Sequence, residues 1–277
     1  MAGTLYIVAT PIGNLDDMPP RVAATFRTAD FVAAEDTRVT MRLLNYLGLK
    51  KPLISCHEHT EKSRCPLLTE KLRSGMNIVY VSDAGMPSIS DPGALLLSAC
   101  QKENLPVTVL PGASAVLTAA VLSGLPIQPF TFFGFLQRDS KPRKQMLAQI
   151  ARCGHVAILY ESPHRVQNTL QELLALLGDC PAALCRELTK LHEEIRRGTL
   201  TSLLAEMEEE PRGECVLCVL VPEALSRPKA PDPKVLLKQL LETMSIKDAA
   251  AEAAHQTGFS KKEMYRMALA LQEANDT

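Results

Sequence analysis

Short apolar runs alternate along the chain with longer segments of helical period, and glycine or proline marks most of the joints. Leu5-Tyr6-Ile7-Val8-Ala9 reads as a strand that breaks at Thr10-Pro11-Ile12-Gly13-Asn14-Leu15, and a helix follows from Pro20 to Thr28. Phe31-Val32-Ala33-Ala34 is the next strand, leading through Glu35-Asp36-Thr37-Arg38 into a helix over Thr40 to Leu47. Ile54 to Cys56 and Ile78 to Val81 continue the strand series around a helix from Lys62 to Ser74, and Val107 to Leu110 closes the first half. Strands joined by helical crossovers predict a mostly parallel sheet covered by helices. A second set places strands at Thr131 to Phe135, Val156 to Tyr160, Ala182 to Cys185 and Glu214 to Val221, with helices at Arg143 to Arg152, Val166 to Leu177 and Leu200 to Glu209. Gly124, Pro126 and Pro129 punctuate the junction between the sets. The run Ser226 to Pro233 is a sharper break, because its spaced prolines disfavour both helix and sheet. The pattern divides the chain into α/β parts at 1–125 and 126–225 and a linker with helical tail at 226–277, with Gly258 between two tail helices.

Composition narrows this picture. A chain of 277 residues with 46% hydrophobic positions can bury more than one core. Charged residues make up 22% and the net charge is −1, so any nucleic-acid contact must come from local clusters of cations. Of eight cysteines only Cys215 and Cys218 have paired spacing, and they lie in a strand-like run that sends residues three apart to opposite faces. No second Cys or His pair completes a metal set, so reduced thiols and no metal are expected. The first residues enter a strand directly, without a basic leader or a long apolar segment, which predicts a cytoplasmic protein with no membrane partner.

Three strands of the first half end in tight loops: Thr10-Pro11-Ile12-Gly13-Asn14, Ser82-Asp83-Ala84-Gly85-Met86-Pro87 and Leu110-Pro111-Gly112-Ala113-Ser114-Ala115. In an open α/β sheet ligands bind beyond the carboxyl ends of strands, where such loops converge, and glycine lets backbone approach a ligand closely. Neither GxGxxG nor GxxxxGK[ST] is present, which disfavours a dinucleotide or nucleoside-triphosphate cradle.

Together with Ala34-Glu35-Asp36-Thr37-Arg38, Ser90-Asp91-Pro92-Gly93, Tyr160-Glu161-Ser162-Pro163-His164-Arg165 and Cys185-Arg186-Glu187-Leu188-Thr189-Lys190, these runs resemble the bacterial ribosomal RNA small-subunit methyltransferase I family of the tetrapyrrole methylase superfamily. The resemblance extends in order from Leu5 to Val221. It implies two α/β domains of the tetrapyrrole methylase type, a homodimer, and S-adenosylmethionine held in the cleft between the domains. It further implies 2′-O-methylation of a cytidine in the decoding region of 16S rRNA, as naked RNA or in the assembled small subunit. The cofactor contacts it implies fall on Pro11 and Gly13, on Asp83, Ala84, Gly85 and Met86, on Ser114 and Ala115, and on Tyr160, Leu188, Glu214 and Cys215. Gln137 departs from the family, which usually has proline there.

Methyl transfer to a hydroxyl needs alignment and an acceptor for the departing proton. Asp36, beside Glu35, is one candidate, although Glu35 to Arg38 serves equally as a helix cap with a charge-paired first turn. Glu161 and His164 form a second cluster, and Lys190 adds a cation that could lower a hydroxyl pKa or meet phosphate. For RNA, Arg138, Lys141, Arg143 and Lys144 crowd into seven residues, and Arg38 and Arg165 follow the two acidic clusters. The tail cations Lys247, Lys261, Lys262 and Arg266 suit either a helix-turn-helix or a small capping bundle. Aromatic residues at 4% leave little for base stacking, so recognition of RNA by shape is expected. A superfamily enzyme acting on a tetrapyrrole or protein side chain, or a non-catalytic ribosome-binding protein, is the competing expectation.

Overall fold

The computed structural model describes residues 1–207, 211–223, 232–257 and 259–273. The expected end of a helix at Glu209, most of the Ser226 to Pro233 break and the Gly258 joint fall outside the described residues. Met1–Pro222 form one compact unit and Glu223–Thr277 a second.

The first unit is built on two five-stranded sheets. One contains β1 (Leu5–Val8), β2 (Phe31–Ala34), β3 (Leu53–Ser55), β4 (Ile78–Val81) and β5 (Val107–Leu110) in the order β3-β2-β4-β1-β5. Every pairing in it is parallel. Helices α1 (Pro20–Thr28), α2 (Thr37–Tyr46), α3 (Glu58–Arg73) and α4 (Ala94–Lys102) make the crossovers. Both faces are therefore covered, and every residue of β2 and β4 is buried, which is why these strands read as unbroken apolar runs. The chain leaves the neighbours β1 and β4 in opposite directions along the sheet, which opens a crevice at their carboxyl ends.

Helix α5 (Ala115–Ser123) leads into the second sheet, made of β6 (Phe130–Phe135), β7 (Val156–Glu161), β8 (Pro181–Arg186), β9 (Glu194–Thr199) and β10 (Cys215–Leu220). The order is β6-β7-β10-β8-β9, with only β6 and β7 parallel. Helices α6 (Ser140–Cys153), α7 (Pro163–Leu177) and α8 (Leu200–Ala205) complete this half. The sequence pattern did not reveal β9, since Glu-Ile-Arg-Arg-Gly-Thr has no apolar alternation. It is an edge strand on which Glu194 pairs with Arg186 and Arg196. Helices α4 and α5 were missed for the opposite reason: both are too uniformly apolar to show a face.

On one face of the second sheet Leu159, Leu184 and Leu217 pack against α7 residues such as Leu170 and Leu173. On the other, Ile158, Ala183, Val216 and Cys218 receive Val116 and Ala119 of α5 together with Ile12 from the first sheet's leading loop. Cys215 and Cys218 thus lie in different cores, as strand alternation requires, and all eight cysteines are free thiols.

The second unit contains α9 (Pro233–Leu241), α10 (Ile246–Thr257) and α11 (Lys261–Glu273) around Leu236, Leu237, Ala250, Ala253, Met264 and Ala268. Asp232 caps α9 through the Lys234 amide, and Ser260 with Glu263 closes the start of α11. No helix among the described residues is long and apolar enough to cross a membrane.

Candidate functional site

The carboxyl ends of β1, β2, β4 and β5 meet the end of β7 and the start of β10 around a cavity of about 450 Å³. That volume lies in the range of about 300–1,000 Å³ usual for small-molecule sites. Ile12, Glu35, Asp83, Ala84, Gly85, Met86, Ile89, Asp91, Ser114 and Ala115 line the wall from the first sheet. Phe135, Tyr160, Glu161, Ser162, Pro163 and Gly213 to Val216 line the opposite wall.

Local chemistry explains how each loop holds its shape. Gly85 has φ 74°, open to glycine at no steric cost, and its N–H and C=O bond reciprocally with Thr10 at 3.0 and 2.9 Å. This stitches the β1 and β4 loops together. Ser114 caps α5, its hydroxyl accepting from the Leu117 amide at 3.4 Å. Tyr160 stacks edge-on to Phe132 at 4.8 Å and tilts against Phe135 at 5.3 Å, and burial lifts its phenol to about 12, so it stays neutral. Four non-glycine residues with positive φ sit in two loops beside the cavity: Ser88 (70°) and Ser90 (71°), and Glu187 (51°) and Thr189 (65°). Backbone strain of this kind concentrates at functional sites.

The first-sheet wall is rich in carboxylates, and the charge of Arg38 reaches Asp83 there. The Asp83 amide donates to Glu35 Oε2 at 3.3 Å, and the Asp36 amide donates to Asp83 Oδ1 at 3.0 Å, so the β2 and β4 loops brace each other. Burial raises Glu35 above the ordinary carboxylate value, and the negative charges of Asp83 and Asp36 add to this against the Asp83 amide. Asp83 is raised likewise, chiefly by burial. Asp91 is lifted to about 6 by burial and by the negative charge of Glu35, with the Ser82 hydroxyl opposing. Behind it the buried Glu61 of α3 accepts the Gly93 and Leu96 amides at 3.1 and 3.0 Å, capping α4 from outside the helix and fixing the loop that carries Ile89 and Asp91.

The opposite wall is charge-paired. Glu161 is 1% exposed, and its oxygens accept from the Ser162 amide at 2.9 Å and the Thr169 hydroxyl at 2.8 Å, with Arg165 Nε at 3.4 Å. The same Thr169 Oγ1 accepts from Arg143 Nη2 at 2.9 Å, and Arg143 also grips Glu172 at 2.6 and 2.8 Å. Lys190 Nζ binds Glu187 Oε1 at 2.8 Å and Glu214 Oε2 at 3.1 Å. Burial works against its charge, but the two carboxylates prevail and its pKa is raised.

These positions change several expectations. Asp36 is the N-cap of α2, clasped by Arg38, and those bonds hold it down at about 2, which makes it a feeble proton acceptor. Arg38 makes this clasp with a side chain that stays 85% exposed. Glu161 lines the cavity, but its lone pairs are committed to a buried network. Lys190 is a cation braced by two carboxylates, and His164 sits exposed on the first turn of α7, off the cavity lining. Of the expected cofactor contacts, Asp83, Ala84, Gly85, Met86, Ser114, Ala115, Tyr160, Glu214 and Cys215 line the cavity, whereas Pro11, Gly13 and Leu188 do not. Gly13 answers to packing instead: a Cβ there would stand 2.5 Å from Lys190 Cγ and 2.9 Å from the Leu188 carbonyl oxygen. Leu188 is buried against Ile12 in the same seam. Arg143, expected at an RNA surface, is 8% exposed and faces Glu172 and Thr169, because these two offer it a fork of acceptors. Gln137 contributes only its carbonyl, which accepts from Arg143 and Arg165, so the departure from proline leaves that contact intact. The sequence pattern did not single out Asp91 as a cavity carboxylate of raised pKa or Glu61 as a cap. Asp91 stood inside a quoted motif, and an acidic residue in a proline- and glycine-bounded loop was the signal available. Among the described residues no group of His, Cys, Asp or Glu is placed to hold a metal ion.

Residues 4–204 match the sequence model of the Tetrapyrrole (Corrin/Porphyrin) Methylases, and residues 227–272 match that of the RsmI C-terminal HTH domain. Among solved structures, diphthine synthase superimposes with a TM-score of 0.62 at 14% identity, over 79% of this chain and 89% of that one. Uroporphyrin-III C-methyltransferase from Thermus thermophilus, solved in complex with S-adenyl homocysteine, gives 0.56 at 18% identity over 78% and 96%. At such identities these likenesses concern the fold. Relatives from Synechocystis sp. and Haemophilus influenzae, each named ribosomal RNA small subunit methyltransferase I, are 40% and 41% identical over 98% of this chain and 99% and 98% of theirs. A relative of the same name from Streptococcus pyogenes serotype M1 is 47% identical over 79% of this chain and 76% of that one. The chain therefore belongs to the ribosomal RNA small subunit methyltransferase I family, on the tetrapyrrole methylase fold.

Proposed function

We propose that this protein methylates the ribose 2′-hydroxyl of a cytidine in the decoding region of 16S rRNA, with Asp91 as the group that accepts the hydroxyl proton. The coarser statement follows from family membership: the chain is an S-adenosylmethionine-dependent methyltransferase of small-subunit ribosomal RNA. The cavity fits that cofactor. Ile12, Met86, Tyr160 and Val216 offer apolar cover for a purine, Gly85 brings backbone within reach, and Asp83 offers a carboxylate for hydroxyl or cationic groups. When bound, the cofactor supplies an electrophilic methyl group.

The residues of the chain then have two tasks, alignment and proton removal. Asp91 carries the second reading because it lines the cavity on the loop after β4 and has a pKa of about 6, close to the optimum for a general base near neutrality. Its carboxylate takes the hydroxyl proton onto Oδ, while the stacked Tyr160 and the Ala84-Gly85 turn exclude water from the reacting oxygen. Support for RNA as acceptor comes from Arg138, Lys141, Lys144 and Arg165, which gather near the N-termini of α6 and α7.

The test is transfer of labelled methyl from S-adenosylmethionine to small subunits, and separately to naked 16S rRNA, that lack the modification. Label mapped to a 2′-oxygen of a decoding-region cytidine is the expected product, and label on a base nitrogen would overturn the reading. The same enzyme would act in the cytoplasm, where ribosomes assemble. We infer a homodimer as well: Leu117 and Val121 of α5, 57% and 72% exposed, leave an apolar stripe suited to a second copy, and sedimentation of the purified chain checks this.

A further inference from the structure

A second recess, of about 440 Å³, opens between α6 and α7. Arg138, Arg143, Lys144 and Arg165 converge on it, with Ser140 and Asn168 adding neutral polar groups. Glu172 is the one carboxylate in its lining, and Arg143 already occupies it through two hydrogen bonds. Arg165 is partly held by Glu161 and by the Leu136 carbonyl at 2.6 Å. Arg138 and Lys144, both exposed, thus bring positive charge to a concave site whose only negative charge is spent. A recess of this kind fits a phosphate group, and cations in concave walls focus their field on it.

Its position relative to the cavity identifies the phosphate. Pro163 lines the cavity, whereas Arg165, Asn168 and Glu172, at helical spacing on the same α7, line the recess. Pro163 and Asn168 are five residues apart, about 7.5 Å along the helix axis and roughly 140° around it, so the cavity and the recess flank α7. A polymer whose sugar enters the cavity would bring a neighbouring phosphate to such a distance, whereas a free metabolite would have no reason to use both. The buried chain from Glu161 through Thr169 to Arg143 makes the two sites one rigid piece: it begins in the cavity wall and ends in the recess wall.

We propose that the recess is a phosphodiester subsite for the substrate RNA, placing a phosphate close to the methylated nucleotide, with Arg138 and Lys144 as its direct contacts and Arg143 as the buried positioning residue. This rests on the reading of the cavity as the site of RNA methylation. It replaces a diffuse basic loop by a defined pair: Lys141 lies outside the recess, and Arg143 is turned inward.

The experiment uses the full chain, a small-subunit RNA fragment spanning the target, and a salt series. Arg138→Ala and Lys144→Ala are each expected to raise the dissociation constant for RNA several-fold and to lower the salt slope by about 1. Their affinity for S-adenosylmethionine, read by calorimetry, should be unchanged, which shows that the fold and the cavity persist. Lys102→Ala, an exposed lysine of α4, is the control and should alter RNA binding less than either. Unchanged RNA affinity and slope in both recess variants would sink the subsite while leaving the methylation reading standing. An equal loss in the Lys102 variant would likewise overturn it, by showing that only overall charge matters. Wild-type protein that methylates no ribosomal RNA would overturn both readings together.

Discussion

The two walls of the cavity hold similar numbers of acidic side chains and treat them in opposite ways. On the first-sheet wall Glu35, Asp83 and Asp91 lie together, and burial raises all three although the charge of Arg38 opposes this at Asp83. On the second-sheet wall Glu161 is enclosed by donors, while Glu187, behind the lining residue Glu214, is pushed below the usual carboxylate value, first of all by its bond to Lys190. A carboxylate that is reluctant to ionise accepts a proton readily, and one held in its charged form does not. The comparison teaches that the wall whose carboxylates resist ionisation is the one on which we propose the proton acceptor, and that the other wall is the braced one. Acidic residues on the page of a sequence look alike; what separates them is whether the fold also delivers a cation.

The strongest way to break this division is Asp91→Asn. If Asp91 is the proton acceptor, kcat should fall about a hundred- to ten-thousandfold, with the dissociation constant for S-adenosylmethionine little changed. The wild-type rate should rise with pH through the neighbourhood of 6, where Asp91 ionises, and the variant should lose that limb. A variant with full kcat would move the base to Glu35 or remove the need for one.

Glu161→Ala probes the other wall and should act on the fold. It deprives the Ser162 amide and the Thr169 hydroxyl of their acceptor and leaves Arg165 and Arg143 less well matched. Breaking a buried network from one side costs about 3–5 kcal/mol, measurable by urea unfolding. Thr169→Val removes only the shared hydroxyl, and about 1–3 kcal/mol is expected because one donor and one acceptor lose partners. If Glu161→Ala instead left stability intact and abolished turnover, the assignment of roles to the walls would be reversed.

Much of this fold was legible in the chain, and its limits have physical causes. The buried parallel strands β2 and β4 and the loops that follow them stood out because burial on both faces demands unbroken apolar runs, and sharp exits demand glycine and proline. Strand β9 was hidden because an edge strand held by Arg-Glu pairs needs no apolar face. The loops stood out as a candidate ligand site, and nine of the expected cofactor positions line the cavity. The proposed proton acceptor did not, because sequence shows carboxylates without their burial: the cap and Arg38 pairing at Asp36 were one of two equal expectations, whereas the enclosure of Glu161 by Ser162, Thr169 and Arg165 is set by the fold. The role of Arg143 was hidden likewise, since nothing local announces that Glu172, one helix away, will claim it.

The smallest effect, and the one that sets the walls side by side, is the dependence of stability on pH. Asp91 rises from 3.8 to about 6 on folding, so its contribution is complete below pH 4 and is lost as pH climbs toward 6. Relative to wild type, Asp91→Asn should gain stability across that window. Glu187 is depressed by Lys190, so the pair contributes above the ordinary carboxylate range and fades as pH falls through the lowered value. Lys190→Met should therefore lose stability near neutrality and converge on wild type in acid. Lys190 is 30% exposed, and Glu187 keeps the Glu214 amide at 2.9 Å as a donor, so the loss should be about 1 kcal/mol or less. Urea titrations of both variants from acid below the lowered Glu187 value up to neutrality, above the raised Asp91 value, should give difference curves of opposite sign. Curves of the same sign would mean that the two walls do not differ in the way their charges are held.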